Sequence, residues 1–597
     1  MNAIPFVVGA LALFALAYRF YFGFVAAKVA VANDLRETPS SRLYDGHNFY
    51  PMNKWVLFGH HFAAIAGAGP LVGPVLAAQF GFFPGFIWIL VGAVLAGSVH
   101  DMVILTASIE HDGKSLSEIA RREINKLSGN TASIAMLLII VVTLAGLGMV
   151  VVNALAESSW GTFTIAMTIP IAVIMGLWMF KLRPGKTLEA TIFGVLMLSA
   201  AVIGGRFIPG SALEGWFSFD KKTLTLMLCG YGFLASVLPV WLLLSPRDYL
   251  SSIMKIGVVA MLAVGVIVVG PEIQMPGFTT FTKGGGPIIP GPLYPYLFIT
   301  IACGAISGFH AMVSSGTTPK MIMRESHIKT IAVGSMLTEG IVSILALIAA
   351  TSLLPLDYFQ INVTPEKFQA ILPALQEMGF TESNLQELSA QVGEDVAGRT
   401  GGAVSLAVGM AYIFSSIPGL SNLMNYWYHF AIMFEALFVL TLIDAGTRIG
   451  RFLLQEALGK VYKPFQQTNW LPGNLIASGI MVFAWGYFIY TGTVATIWPM
   501  FGSANQLLAS IALAVGTSYI INRGRRKYAW VTIIPMIFIG TTTLVAGLTN
   551  LFTIYLPQMN DPQTFVPGLV NLVLTVIIII CALVIFSNAV PKWFKGK

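Results

Sequence analysis

Three carboxylates and five histidines stand inside long apolar stretches of this sequence. Asp101 lies about eight residues from the end of its stretch, Glu339 about eleven and Glu435 about nine. At ~1.5 Å per residue these are depths near the middle of a bilayer. His60, His61, His100, His310 and His429 join them, five of the eight histidines in the chain. Ionisable groups are rare at such depth and mark ion pathways, proton relays and ligand sites. Asp101, Glu339, Glu435, His100 and His429 are therefore the expected proton or ion carriers. The plainer reading of any one histidine is a hydrogen bond between helices. His60, His61, His100 and Asp101 also offer metal-ligand atoms. Neighbouring residues on a helix point about 100° apart, so His60 and His61 share an ion only if the helix unwinds. HExxH is absent. No metal is expected, and those four residues are only weak candidates for one.

Two stretches explain how such groups would be held. Residues 59–70 read GHHFAAIAGAGP and residues 308–319 read GFHAMVSSGTTP. Gly59 matches Gly308, His61 matches His310, Gly67 matches Gly316 and Pro70 matches Pro319. Glycine and proline continue helices poorly. Seven crossings separate the two stretches, so they run in opposite directions. Oppositely directed, interrupted spans point to an inverted-repeat transporter, with substrate and ion bound where backbone groups are freed. His61, Gly67, Gly69, His310, Ser315 and Gly316 are the expected substrate contacts. The alternative is a pair of kinked packing helices of the small-xxx-small kind. Asn505 and Gln506, in WPMFGSANQLLAS, would bind a peptide backbone or carboxylate, or else join helices. Arg247 and Asp248, in LPVWLLLSPRDYLSS, form either a gate pair or a turn that fixes topology.

The elements carrying these residues must be membrane helices. The chain of 597 residues is 56% apolar and 10% charged, with a mean hydropathy of +0.78. Soluble proteins carry about 25% charged residues. Fifteen crossings are expected, roughly at 4–31, 55–81, 85–109, 132–154, 163–180, 187–206, 223–244, 251–270, 295–316, 328–353, 420–443, 473–492, 504–521, 529–550 and 567–589. The apolar run 403–417 is too short to cross and reads as a re-entrant or peripheral helix. With the N-terminus outside and the C-terminus inside, inner segments carry 26 of the 34 Lys and Arg residues and outer loops six. That asymmetry sets the orientation. It also places the net charge of +7 in cytoplasmic loops rather than on nucleic acid. The first span has no basic lead, its first charge being Arg19, so it reads as a span and not a signal peptide. The outer loop 354–402, helical over 365–391, reads as a cap. Residues 114–127 read as an amphipathic helix on the membrane surface. Three cysteines without metal spacing support neither disulfides nor a zinc site.

Five motifs carry a family resemblance: NKWVLFGHHFAAIAGAGPLVGPVLA, GSVHDMVILTASIEHDGKSLSEIA, WLLLSPRDYLS, MNYWYHFAIMFEALFVLTLIDAGTR and MFGSANQLLA. Together, over residues 53 to about 510, they resemble the carbon starvation protein A (CstA) family. The resemblance implies a transporter of the cytoplasmic membrane used when carbon runs short. Members are associated with peptide uptake and close relatives with pyruvate–proton symport. It also implies a LeuT-type inverted repeat with two broken helices. About fifteen spans exceed that core, so additional helices lie outside it.

The expectation is an all-α, non-enzymatic membrane transporter in one domain over 1–597. Its core halves are 55–206 and 295–521, with the cap at 354–402. It imports short peptides with protons as coupling ion and needs no cofactor. Sodium on the freed carbonyls is the other ionic possibility. A pyruvate or small-carboxylate symporter is the nearest rival. A nutrient sensor or a metal-binding membrane protein is a rival from another class.

Overall fold

The computed structural model describes residues 1–45, 49–183, 186–238, 243–459, 461–467 and 470–594. Among the described residues the chain is helical, and its only β pairing is two isolated bridges, Asn2 with Glu272 and Met52 with Ile322. Helix α1 (Ile4–Ala30) leads to α2 (Lys54–Ile65) and α3 (Gly69–Phe80). Then come α4 (Phe82–Glu110), the short α5 (Leu116–Glu123), α6 (Lys126–Leu155), α7 (Ser159–Leu177), α8 (Leu188–Gly205), α9 (Lys221–Val237) and α10 (Pro246–Val269). Next are α11 (Leu293–Thr300), α12 (Gly308–Gly316) and α13 (Glu325–Thr351). Residues 354–402, read above as a cap, contain α14 (Pro355–Asn362), α15 (Pro365–Glu377) and α16 (Leu385–Val392). The chain ends with α17 (Ala403–Ser415), α18 (Ser421–Gly459), α19 (Leu471–Thr491), α20 (Val494–Asn522), α21 (Trp530–Gln558) and α22 (Phe565–Phe594).

Twelve described helices are long and apolar enough to cross a membrane, or thirteen with α2–α3 as one bent span. Two of the fifteen expected crossings fall on shorter pieces. One is α9, of 17 residues, whose expected continuation over 239–242 lies outside the described residues. The other is α11–α12, which a non-helical segment divides. The run expected to be short and apolar is α17, buried along α18 and α13. Gly409 allows that contact, since a Cβ there would lie 2.1 Å from the Ala349 carbonyl oxygen.

Both interruptions have local causes. In α2–α3 the helix bends by 47°. The Gly67 amide turns back to the Ile65 carbonyl (2.9 Å), so it leaves the Ala63 carbonyl without its helical donor. Pro70 has no amide hydrogen to offer the Ala66 carbonyl, and as an early residue of α3 it needs none. The second interruption corrects the expected alignment of the two stretches. The helix breaks at 301–307, ahead of His310, and α12 then runs unbroken through His310 to Gly316. His61 precedes its break whereas His310 follows its own. The residues Gly316 to Pro319 end a helix rather than interrupt one. The two broken helices still run in opposite directions. The start of α2 pairs with the far end of α12, through Tyr50 to Lys320 and Met52 to Met321, while α3 ends against Pro276 and Gly277.

One face gathers basic segments. Arg36 bridges Glu325 (2.6 Å) and Glu110 (3.4 Å), and Arg523 holds Glu110 (2.7 Å). On this basic face α5 corrects another expectation. It covers only 116–123, and Leu116, Ile119 and Ala120 are buried against the bundle rather than laid on a membrane surface. Glu123 at its end meets His111 (2.9 Å) and accepts from the Asn522 amide (2.7 Å). Burial works against the His111 imidazolium, yet the bond to Glu123 raises it above its ordinary 6.5. Burial works against the Glu123 carboxylate too, and the bonds from His111 and Asn522 lower it below its ordinary 4.5. The histidine's stabilisation is complete below about 6.5 and is lost as pH rises through its raised value. The glutamate's is complete above about 4.5 and is lost as pH falls through its lowered value. His111→Gln should therefore cost about 1–3 kcal/mol near pH 5.5 and distinctly less near pH 9. Melting temperatures of both proteins in detergent at the two pH values check this; an equal deficit at both would refute it.

Candidate functional site

The densest set of buried charge lies where α4, α12 and α13 meet. His310 of α12 places Nδ1 3.0 Å from Asp101 Oδ2 and Nε2 3.1 Å from Glu339 Oε2. The Asp101 contact is an aligned hydrogen bond, and the Glu339 contact is an ion pair without that alignment. The other Asp101 oxygen, Oδ1, lies 2.7 Å from His100 Nδ1. His100, Asp101, His310 and Glu339 are all fully buried. A ring whose two nitrogens both face ionised carboxylates holds both contacts only as the imidazolium; as neutral imidazole it keeps both only if one acid carries the proton. Loss of one proton turns a lone pair toward one of the acids. The arrangement can therefore couple a proton to the grip of α12 on α4 and α13. His61, beside this set, bonds Thr318 Oγ1 at 2.7 Å (through Nδ1) and is also fully buried.

The other expected residues lie as follows. Gly67 and Gly69 admit close packing: a Cβ at Gly67 would sit 2.1 Å from Leu442, and one at Gly69 2.4 Å from Cys303 Sγ. Ser315 and Gly316 lie at the basic-face end of α12. Ser315 Oγ accepts from the Leu116 amide (3.0 Å) and donates to the Ala311 carbonyl (2.6 Å). Asn505 Oδ1 accepts from the Phe309 amide (3.0 Å), so it caps α12. Gln506 donates to the Phe298 carbonyl of α11 (2.6 Å). Both amides thus serve the broken helix itself. His429 stacks on Trp160 with ring centres 3.7 Å apart, and its Nε2 is 3.9 Å from Glu394 near the cap. Glu435, midway along α18, is buried, and neither carboxyl oxygen has a hydrogen-bond partner among the described residues. The expected pairing of Arg247 with Asp248 is replaced: Arg247 faces Asp444 of α18 at 3.8 Å and bonds the Tyr231 hydroxyl. His60 is exposed on the outside of the bundle, away from His61. Among the described residues no three His, Cys, Asp or Glu side chains are disposed to hold a metal ion.

Sequence reasoning missed Lys255. Its ammonium group donates to the carbonyls of Ala63 (2.9 Å) and Ala66 (3.3 Å), the two oxygens that the first break frees. It lies 4.4 Å over the Phe438 ring and is buried. The count of loop charge had absorbed it as part of an inner segment. The signal was the unbroken helical run from Pro246 through 255, which carries the lysine into the bundle.

The site predicts its own weak point. Asn505→Leu keeps the branched shape but leaves the buried Phe309 amide without an acceptor. It should lower stability by about 1–3 kcal/mol. Thermal unfolding in detergent measures this, and an unchanged melting temperature would remove Asn505 as the cap of α12.

A multi-pass helical bundle with two opposed, interrupted helices and buried charge at their meeting is the architecture of a membrane transporter. The chain belongs to the carbon starvation protein CstA family, whose sequence profile matches residues 2–546. It is 49% identical over 594 residues to the peptide transporter CstA of Bacillus subtilis (strain 168), covering 99% of this chain and 97% of that one. It is 46% identical to the peptide transporter CstA of Escherichia coli (strain K12), covering 93% and 82%. It is 42% identical to the pyruvate/proton symporter BtsT of the same organism, covering 94% and 83%. Among solved structures it is similar to a manganese transporter of Eremococcus coleocola, with a TM-score of 0.48 at 10% identity, covering 92% and 99%. It is also similar to MhsT in complex with L-phenylalanine, with a TM-score of 0.45 at 12% identity, covering 84% and 99%.

Proposed function

We propose that this protein imports short peptides across the cytoplasmic membrane by proton symport, with its N-terminus outside and its C-terminus in the cytoplasm. The observation that carries the coupling is His310, held between Asp101 and Glu339 on three different helices. Protonated, the ring ties α12 to α4 and α13; deprotonated, it releases one of them. Glu435 is the second carrier, since an unpaired buried carboxylate costs several kcal/mol and a neutral acid does not. The core halves 55–206 and 295–521 each contribute one broken helix to this centre. The peptide assignment rests on the relatives at 49% and 46% identity. The pyruvate/proton symporter among the relatives supports a second reading, a small carboxylate on the same proton-coupled centre.

Lys255 bears on the choice of ion. The carbonyls freed at the first break already accept from the Lys255 ammonium group, which favours a proton over sodium as the coupling ion. Proteoliposomes loaded to give an inward proton gradient test the whole reading, with labelled trialanine and pyruvate as substrates. Gradient-driven accumulation of one of them is expected, at equal rates in sodium and in choline media. Dependence on sodium would reassign the ion, and no flux of either by folded, inserted protein would end the transport reading. Glu435→Gln should abolish accumulation above equilibrium while exchange of substrate across the membrane persists. Undiminished accumulation would take Glu435 off the proton path.

A further inference from the structure

On the cap face, away from the buried centre, a cavity of about 390 Å³ opens between α6, α9, α15 and α19. That volume is in the range of ligand clefts, ~300–1,000 Å³. Three lysines line it: Lys221 and Lys222 at the start of α9, and Lys367 of α15. None of its lining residues is Asp or Glu. The convergence is unusual for this face, which holds six of the 34 Lys and Arg residues by the loop assignment above. Like charges brought together repel unless an anion sits between them. Lys367 gives one hydrogen bond to the Pro287 carbonyl (2.6 Å), and Lys222 lies 5.6 Å over the Tyr490 ring. Glu157, which is not a lining residue, is the acid whose field reaches Lys221.

The floor gives an independent sign. Asn153, near the end of α6, lines the cavity, is 4% exposed, and its side chain makes no hydrogen bond among the described residues. Asn362, its neighbour in the lining, differs: it donates to Tyr358 and Ser405 and accepts from the Gly402 amide. A side-chain amide without a protein partner at the floor of a basic cavity is available to a ligand. The cavity also adjoins the transport core. Asn153 packs on Gly401, and the next residue, Gly402, rests against Val72 and Leu76 of α3. The first broken helix thus forms the layer beneath the floor.

We propose that this cavity is a carboxylate-binding vestibule: Lys221, Lys222 and Lys367 receive the carboxylate of the substrate, and the Asn153 amide orients it before it passes to the broken helices. The class of ligand is set by the lysines as a free carboxylate, shared by the C-terminus of a short peptide and by a small organic acid. This deepens the transport reading and rests on it for the fate of the ligand.

Binding of labelled trialanine to the full-length protein in nanodiscs tests the vestibule apart from transport. Unlabelled trialanine and pyruvate should compete, and trialanine amide, which lacks the carboxylate, should not. K221Q/K222Q should weaken binding at least about tenfold, and added salt should do the same to the wild type, as expected for exposed charge. N153L, which fills the floor, should weaken it as well with the melting temperature held. In proteoliposomes K221Q/K222Q should raise KM with little change in the maximal rate. Equal competition by the amide, wild-type affinity in K221Q/K222Q, or no binding by the wild type would each overturn the vestibule. Normal flux with an unchanged KM in that variant would overturn it and leave transport standing. Charge-dependent binding without flux in the wild type would do the reverse.

Discussion

A backbone carbonyl inside a bilayer has no water to turn to, and every helix break in this protein must answer for the oxygens it frees. That constraint organises the centre of the molecule. Lys255 takes the Ala63 and Ala66 carbonyls at the first break. At the second, Gln506 takes the Phe298 carbonyl, Trp498 the Thr300 carbonyl (3.4 Å) and Trp88 the Ile301 carbonyl (3.1 Å). Asn505 answers the opposite need, a free amide at the start of α12. Helices α4, α10 and α20, which carry these side chains, thus complete the hydrogen bonding of the broken pairs.

The buried charges follow from the same economy. Asp101 and Glu339 are tolerable at zero exposure because one imidazole faces both, and His100 meets the remaining side of Asp101. Breaking one partner of such a cluster leaves a charge in a medium that cannot solvate it, at a cost of several kcal/mol. The cluster therefore changes state as a unit. Its three helices belong to both of the proposed core halves, so a change in the cluster would be shared between them rather than confined to one side chain.

Much of this was legible in the sequence. Hydropathy located the spans, since a stretch of about 20 apolar residues has few other uses. Asp101, Glu339 and His310 stood out because ionisable groups at depth are rare. Their mutual contact was not legible, because which faces of three distant helices meet is decided by packing. The alignment of 59–70 with 308–319 misled for a definite reason. Glycine and proline end helices as readily as they break them, and only the unwound IACGAIS segment, which contains one glycine and no proline, marks the true second break. Lys255 was hidden because it was counted with the inner-loop charge although it lies inside α10, and Asp444 because the expected span ended at 443 although it lies inside α18.

Helix α18 has a consequence of its own. Its α-helical part, Met424–Gly459, runs unbroken for 36 residues, a rod of about 54 Å at ~1.5 Å per residue. One end stacks His429 on Trp160 beneath the cap, and the other gives Arg448 to the Ala235 and Leu238 carbonyls and Arg451 to that of Ser236. A rod anchored at both ends cannot tilt at one without moving the other. Any rearrangement that loosens the cap side must therefore be felt at the basic face, with Glu435 near the fulcrum. The stiffness of the longest helix thus links the contacts beneath the cap to those at the basic face.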